Sequence, residues 1–341
     1  MNRNQMDQSL SERFANMALL CAMLVVFIHL PKPSGASAQW IWAYLSHGIA
    51  KVAVPFFFVA AGFFLAGKFD EKGWYGREVI KRVKTLLLPL FIWDVAWVVW
   101  SRSITIAANA INGRELLAYV SGFSLKEVLR IFALWPFEQP ELGVLWFVRV
   151  LFLLVLCSPL LRKMSTFPFV GLLWMLHGAI HPDYGATRTP IVFTFQEGFF
   201  SLFGMAYFCL GIYLRSHVEL LNKSYWLALV VGGCLLAFRG VPYVSSFARV
   251  MTWLATPFLL AGVWTLVPAR PLPAFLKATA FPIYLLHGFA IFAFGYLHLF
   301  PSRNAIGYIL IGILTIATCI FVTKVLRRFF PRFAYVAFGG R

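Results

Sequence analysis

Apolar stretches of about 20 residues recur along the whole chain and constrain its fold more than any other feature. A stretch of that length spans the hydrocarbon core of a bilayer as an α-helix. Segments such as "GLLWMLHGAI" and "ILIGILTIATCI" lack the alternation that the strands of a membrane β-barrel show. Hydrophobic residues make up 60% of the 341 residues, against about 45–50% in soluble domains. The sequence therefore predicts an all-α fold, a polytopic transmembrane helix bundle.

The apolar stretches divide the chain into about ten candidate spans. Residues 1–13 precede them as a cytoplasmic N-terminal segment, 14–322 form one transmembrane domain, and 323–341 form a basic cytoplasmic tail. No repeat or soluble domain is visible. The predicted spans are 14–30, 48–67, 85–101, 143–160, 169–183, 198–214, 225–239, 250–267, 281–299 and 305–322.

The positive charge is distributed as in a membrane protein. The net charge is +17, and most Lys and Arg residues lie in loops that fall on one side of the predicted bundle. This positive-inside pattern places both termini in the cytoplasm, and it argues against nucleic acid as a partner. The basic tail is expected to rest on membrane lipid. The long outer segment 102–142 contains "LKEVLRIFALW", which predicts an amphipathic helix at the outer interface.

Four ionisable residues stand well inside predicted spans, namely His29, Asp94, Arg149 and His287, and Lys51, His177 and His298 stand nearer the span ends. Ionisable groups in such places usually face an interior cavity and take part in function. A neutral imidazole at His29 could take a proton from a hydroxyl group near pH 7, or it could be a structural histidine at the interface. Arg149 keeps its charge and needs an anion, so it either binds a ligand or pairs with Asp94.

Helix periodicity links Tyr284 to His287, three residues later, on one helical face. By residue count along the predicted spans, His287 lies nearer the inner side of the membrane than His29, so we do not expect the two histidines to touch. These patterns predict a membrane protein with a polar interior. They leave open whether it is an enzyme, a transporter or flippase, or a scaffold.

Six segments in order resemble the acyltransferase 3 family of integral-membrane acyltransferases. "MALLCAMLVVFIHL" is similar to the opening helix, which ends in Val-Val-x-x-His, and "VPFFFVAAGFFLAGKF" to the run that follows. The other four are "KRVKTLLLPLFIW", "LWFVRVLFLLVLCSPLL", "FPIYLLH" and "FPRFAYVAFGGR". The family usually has a basic residue where this chain has Ala18, and a serine where it has Ala61.

The resemblance implies transfer of an acyl group, commonly acetyl from acetyl-CoA, to a hydroxyl of a cell-envelope or secreted glycan. His29 would act there as base or as transient acyl carrier. Arg149 or Tyr284 would stabilise the oxyanion, without a metal. The acyl-CoA would dock at a basic loop, and the glycan or glycolipid would meet further polar residues. The docking residues are Arg77, Lys81, Arg82 and Lys84, and the substrate-binding residues are Trp146, His287 and Asp94.

The expected location is a bacterial cytoplasmic membrane. A transporter or flippase of a glycan or a small anionic solute is the alternative, because buried charges could also form a transport path. Neither the accepting glycan, the acyl group, the oligomeric state nor the effect of Ala18 can be read from the sequence.

Overall fold

The computed structural model describes residues 3–111, 142–180, 201–238, 246–296 and 304–340, and this part of the chain is helical, with no strand. The stretch "LKEVLRIFALW" lies outside the described residues. The helices are α1 (Arg3–His29), α2 (Ala36–Ile41), α3 (Ala53–Ala66), α4 (Trp74–Arg82), α5 (Leu88–Ile111), α6 (Trp146–Leu156), α7 (Ser158–Met164), α8 (Phe167–Ile180), α9 (Leu202–Ser216), α10 (Trp226–Phe238), α11 (Ser246–Leu266), α12 (Ala274–Lys277), α13 (Ala280–Tyr296), α14 (Ala305–Phe329) and α15 (Pro331–Ala337).

In its described residues, each of the ten predicted spans overlaps a helical segment. Helices α6 and α7 bend by 73° and together cover the fourth span, and five further apolar helices are shorter than a full crossing. The number of crossings therefore stays a prediction. Four described segments are long and apolar enough to cross a membrane: Gln8–His29, Ala36–Ala66, Trp74–Ile104 and Ala305–Phe329.

Helix α1 ends at His29 because of the residues that follow it. Pro31 and Pro33 lack the backbone N–H that a continuing helix would need, and proline disfavours helical geometry in the residue before it. A proline also follows the sharp bend between α6 and α7, where Pro159 occupies the first turn of the new helix. The prolines thus place His29 at the tip of a long helix, where the chain turns away.

Helices α3 and α9 form a close crossing of two glycines. A Cβ atom added at Gly62 would lie 2.1 Å from the carbonyl oxygen of Phe208, and one at Gly211 would lie 2.1 Å from that of Val59. Small residues let helix backbones approach in this way inside membranes. The contact supports the part of the bundle that packs against α1.

Segments predicted to be cytoplasmic contact one another in the structure. Lys277, before α13, forms an ion pair with Glu12 in the first turns of α1. Arg162, after the bend, donates a hydrogen bond of 2.7 Å to the carbonyl oxygen of Phe69, after α3. These contacts agree with the alternation of loops that the charge pattern predicts. That both termini face the cytoplasm stays a prediction.

The chain's last residues fold back onto the start of α5. The indole of Trp93 donates a hydrogen bond of 2.8 Å to the carbonyl oxygen of Ala337, and its ring stacks on that of Phe338, with centroids 5.6 Å apart. Phe338 is fully buried. The basic residues predicted as a tail thus include the end of α14 and a short packed helix, α15.

Candidate active site

His29 faces His287 across the contact between α1 and α13. The ring centroids are 5.0 Å apart and the ring planes make an angle of 41°. His29 is exposed, whereas His287 is fully buried. The expectation that these residues do not touch was wrong. It came from counting residues from predicted span ends, which does not determine how two helices pack against each other.

Tyr284 and Asp94 both hold a short turn, Leu142–Leu145, that precedes α6. The phenol of Tyr284 donates a hydrogen bond to the carbonyl oxygen of Val144. From the other side, the Oδ1 atom of Asp94 accepts a hydrogen bond of 2.8 Å from the backbone N–H of Leu142. Both side chains are buried. Tyr284 and Asp94, which the sequence analysis assigned to catalysis and substrate binding, thus both anchor the backbone of this turn.

The anchored turn leads into α6, which carries Trp146 and Arg149. Trp146 is half-buried, and Arg149 is buried with 7% of its surface exposed. A guanidinium group remains charged in such a place and acts as a strong donor to any anion that reaches it. The ring of Phe147 packs at 5.7 Å from that of Tyr284, which joins α6 to the helix of His287. Pairing of Asp94 with Arg149 stays a prediction.

The predicted donor-docking residues form a cluster with two acidic residues that the sequence analysis did not single out. Glu71 accepts from Arg77 at 2.9 Å. Glu78, which is buried, lies 3.6 Å from the Nζ atom of Lys81 and 3.5 Å from a guanidinium nitrogen of Arg82. The spacing of Glu78 before Lys81 and Arg82 along one helix was the signal that could have revealed the contact.

Lys84 occupies a different position in this basic cluster. It lies on a single π-helical turn, Val83–Leu87, between α4 and α5, and it is exposed. π-helical turns occur often at functional sites. Along α5, Lys84 lies about 15 Å from Asp94 at the rise of an ideal helix. The basic cluster therefore lies before the start of α5, and Asp94, which holds the anchored turn, lies further along that helix.

Two further residues near His29 were not among the predicted site residues. Lys51 and His47 lie close enough for their charges to act on the His29 ring. His47 packs edge-on against Trp42, with ring centroids 4.3 Å apart. His47 precedes the short turn Ile49–Val52, and Lys51 lies within it. Their polar positions at the end of a predicted span were visible in the sequence. Their proximity to His29 depends on how the chain returns after α1.

Comparisons with known proteins place the chain in a family. No solved structure matches it. The succinoglycan biosynthesis protein ExoH of Rhizobium meliloti (strain 1021) is 26% identical over 210 residues, a match that covers 58% of this chain and 55% of that protein. The chain thus spans about half the length of this curated relative.

The family profile described as acyltransferase domain matches residues 19–324, a range that includes His29, the basic cluster, α6 and both Tyr284 and His287. The chain belongs to the acyltransferase 3 family.

Proposed function

We propose that the protein moves an acyl group, acetyl in the simplest case, from acyl-CoA to a hydroxyl of an envelope or exported glycan or glycolipid. The bacterial cytoplasmic membrane is its proposed location. The proposal depends most on one observation. In this chain, which belongs to the family, α1 ends in the exposed imidazole of His29, and that ring faces the buried imidazole of His287. The relative's part in succinoglycan biosynthesis, as its name states, supports a polysaccharide acceptor.

The donor is proposed to dock at the basic cluster of Arg77, Lys81, Arg82 and Lys84. Several cations meet there on one short stretch of the described chain, and charge-assisted hydrogen bonds to phosphate are strong. Glu78 fixes the directions of Lys81 and Arg82, which leaves the exposed Lys84 available for a phosphate group. From this cluster the arm of CoA would follow α5 towards the anchored turn.

In the reaction, the acceptor hydroxyl loses its proton to His29 as its oxygen bonds to the acyl carbon. The bond from that carbon to sulfur breaks, and the CoA thiolate takes up the proton. An acyl group held briefly on His29 would give the same overall balance. Arg149 is the proposed donor to the oxyanion. Because the hydroxyl of Tyr284 already donates to Val144, its proposed part is to hold the turn that leads into α6, the helix that carries Arg149.

Substitution of His29 tests this proposal directly. We expect His29→Ala to lower glycan acylation by about 10²- to 10⁴-fold, since a general base contributes that much. The measurement is acyl transfer in membranes that contain equal amounts of each variant, with mass spectrometry of the glycans. His217→Ala is the matched control, because His217 lies after α9 and bonds to the carbonyl oxygen of Tyr213. Full activity in the His29 variant would remove His29 from the chemistry.

The same preparation separates the enzyme from the transporter. Buried charged residues such as Asp94 and Arg149 could also line a transport path. An acyltransferase should still modify its acceptor after solubilisation in detergent, whereas transport requires a sealed membrane. Loss of every measurable modification in detergent, with transport in vesicles, would favour the alternative.

A further inference from the structure

The hydrogen bonding of His287 identifies which of its nitrogens carries the hydrogen. The Nδ1 atom lies 3.2 Å from the carbonyl oxygen of Ile283, one turn earlier in α13. A carbonyl oxygen can only accept, so Nδ1 is the donor. In the neutral ring, Nε2 then carries the lone pair. The tautomer of this buried histidine is therefore set by its own helix.

The Nε2 atom of His287 has no hydrogen-bond partner within the described part of the chain, although it is buried. A buried acceptor without a donor destabilises the fold and calls for an explanation. The ring of His29 lies beside it, with a centroid distance of 5.0 Å. A rotation of the His29 side chain, or one bridging water molecule, would join the two rings.

The other groups near His29 are less suited to accept its N–H. The side chain of Lys51, whose charge acts on the His29 ring, offers hydrogen-bond donors only. His47 packs its ring on Trp42 at 4.3 Å. His287 alone among these three presents a nitrogen that is held as an acceptor by a bond on the opposite side of its ring. A fixed acceptor beside an imidazole is the arrangement that orients a catalytic base.

We propose that His287 is the positioning residue of His29, accepting a hydrogen bond from one ring nitrogen of His29 through its Nε2 atom. This proposal rests on the proposed function. The bond leaves the second nitrogen of His29 unprotonated and directed away from α13, ready to take the proton of the acceptor hydroxyl. The proton resides on that second nitrogen until it passes to the CoA thiolate, and His287 keeps its own hydrogen throughout.

Two substitutions of His287 separate positioning from packing. In His287→Asn the side-chain amide can still donate to Ile283, but no acceptor occupies the Nε2 position. In His287→Gln the longer side chain brings an amide oxygen near that position. A role in packing or in the bond to Ile283 predicts that Asn is tolerated as well as Gln or better. Positioning of His29 predicts the opposite order.

The probe is diethyl pyrocarbonate, which carbethoxylates the unprotonated nitrogen of an accessible imidazole. Reaction at His29 is followed by peptide mass spectrometry in purified protein, with His217 in the same sample as the internal reference. We expect the rate at His29 to fall several-fold in His287→Asn and to stay near wild type in His287→Gln. Glycan acylation should fall by about 10- to 100-fold in the Asn variant but not in the Gln variant, as for other residues that orient a ligand or base.

Equal rates at His29 in all three proteins would overturn the positioning role. His287→Leu fills the space without a polar atom and predicts the same loss as Asn, so either variant suffices if the other does not fold. The labelling does not depend on acyl transfer. If wild type transfers no acyl group, or His29→Ala remains fully active, the proposed function fails while the labelling result still reports on the two histidines.

Discussion

At the scale of single residues, the environment of a charge decides what it can do. Arg82 and Lys81 share the buried carboxylate of Glu78, so part of their charge is already balanced. Lys84 is exposed on the π-helical turn that follows, and its ammonium group can turn towards an anion. Of the four proposed docking residues, Lys84 can therefore be changed with the least effect on the fold.

Charge reversal of Lys84 tests the docking site. We expect Lys84→Glu to raise the KM for acyl-CoA about tenfold, because one charge-assisted hydrogen bond contributes about 1.5 kcal/mol and the new carboxylate repels phosphate. The value of kcat should change little. Lys223→Glu is the control, since Lys223 is also exposed, is predicted on the same side, and alters the net charge equally. The same KM in both variants would place the donor elsewhere.

At the scale of helices and turns, the structure gives Tyr284 and Asp94 a shared task. Both bond to backbone groups of the turn before α6, one to a carbonyl oxygen and the other to an N–H group. The helices themselves could be predicted, because runs of apolar residues and following prolines are local features. The bonds could not, because each partner is a backbone group of a remote segment and leaves no trace in the identity of Leu142 or Val144.

Tyr284→Phe distinguishes the anchor from an oxyanion donor. As an anchor, its loss leaves the buried carbonyl of Val144 without its donor, at a cost of about 1–3 kcal/mol. We expect a lower unfolding temperature in detergent and a fall in kcat of about tenfold as Arg149 loses its position. The control is Tyr207→Phe, another buried tyrosine on α9, away from the turn.

A direct oxyanion donor behaves differently on substitution. Removal of such a donor lowers kcat by about 10²- to 10³-fold while the protein remains stable. An unchanged unfolding temperature together with a loss of that size would return Tyr284 to the chemistry. The unfolding temperature and kcat together therefore distinguish an oxyanion donor, the role expected from the sequence, from an anchor of the turn, the role that the hydrogen bond supports.

At the scale of the whole molecule, the described helices join the proposed donor site to His29. Gly339, at φ 67°, brings the end of the chain against Thr85, beside Lys84: an added Cβ atom would lie 2.5 Å from the carbonyl oxygen of Thr85. Further along α5, Asp94 holds the turn that packs near Tyr284 and His287. Charge counting could predict the sides of the loops, but the contact of His29 with His287 depends on how α1 and α13 pack together, which no local pattern records.

The proposed path requires the basic cluster and His29 to face opposite sides of the membrane. The charge pattern puts Lys223 on the cytoplasmic side and Ser34, just beyond α1, outside. Both residues are exposed in the structure. We expect a membrane-impermeant maleimide to label Ser34→Cys in intact spheroplasts, and to label Lys223→Cys only after the membrane is opened. Each is measured against the unsubstituted protein, whose own cysteines set the background. Labelling of both positions from the same side would require an even number of crossings between them, and an acyl group made in the cytoplasm could then not cross to His29 by the route along α5.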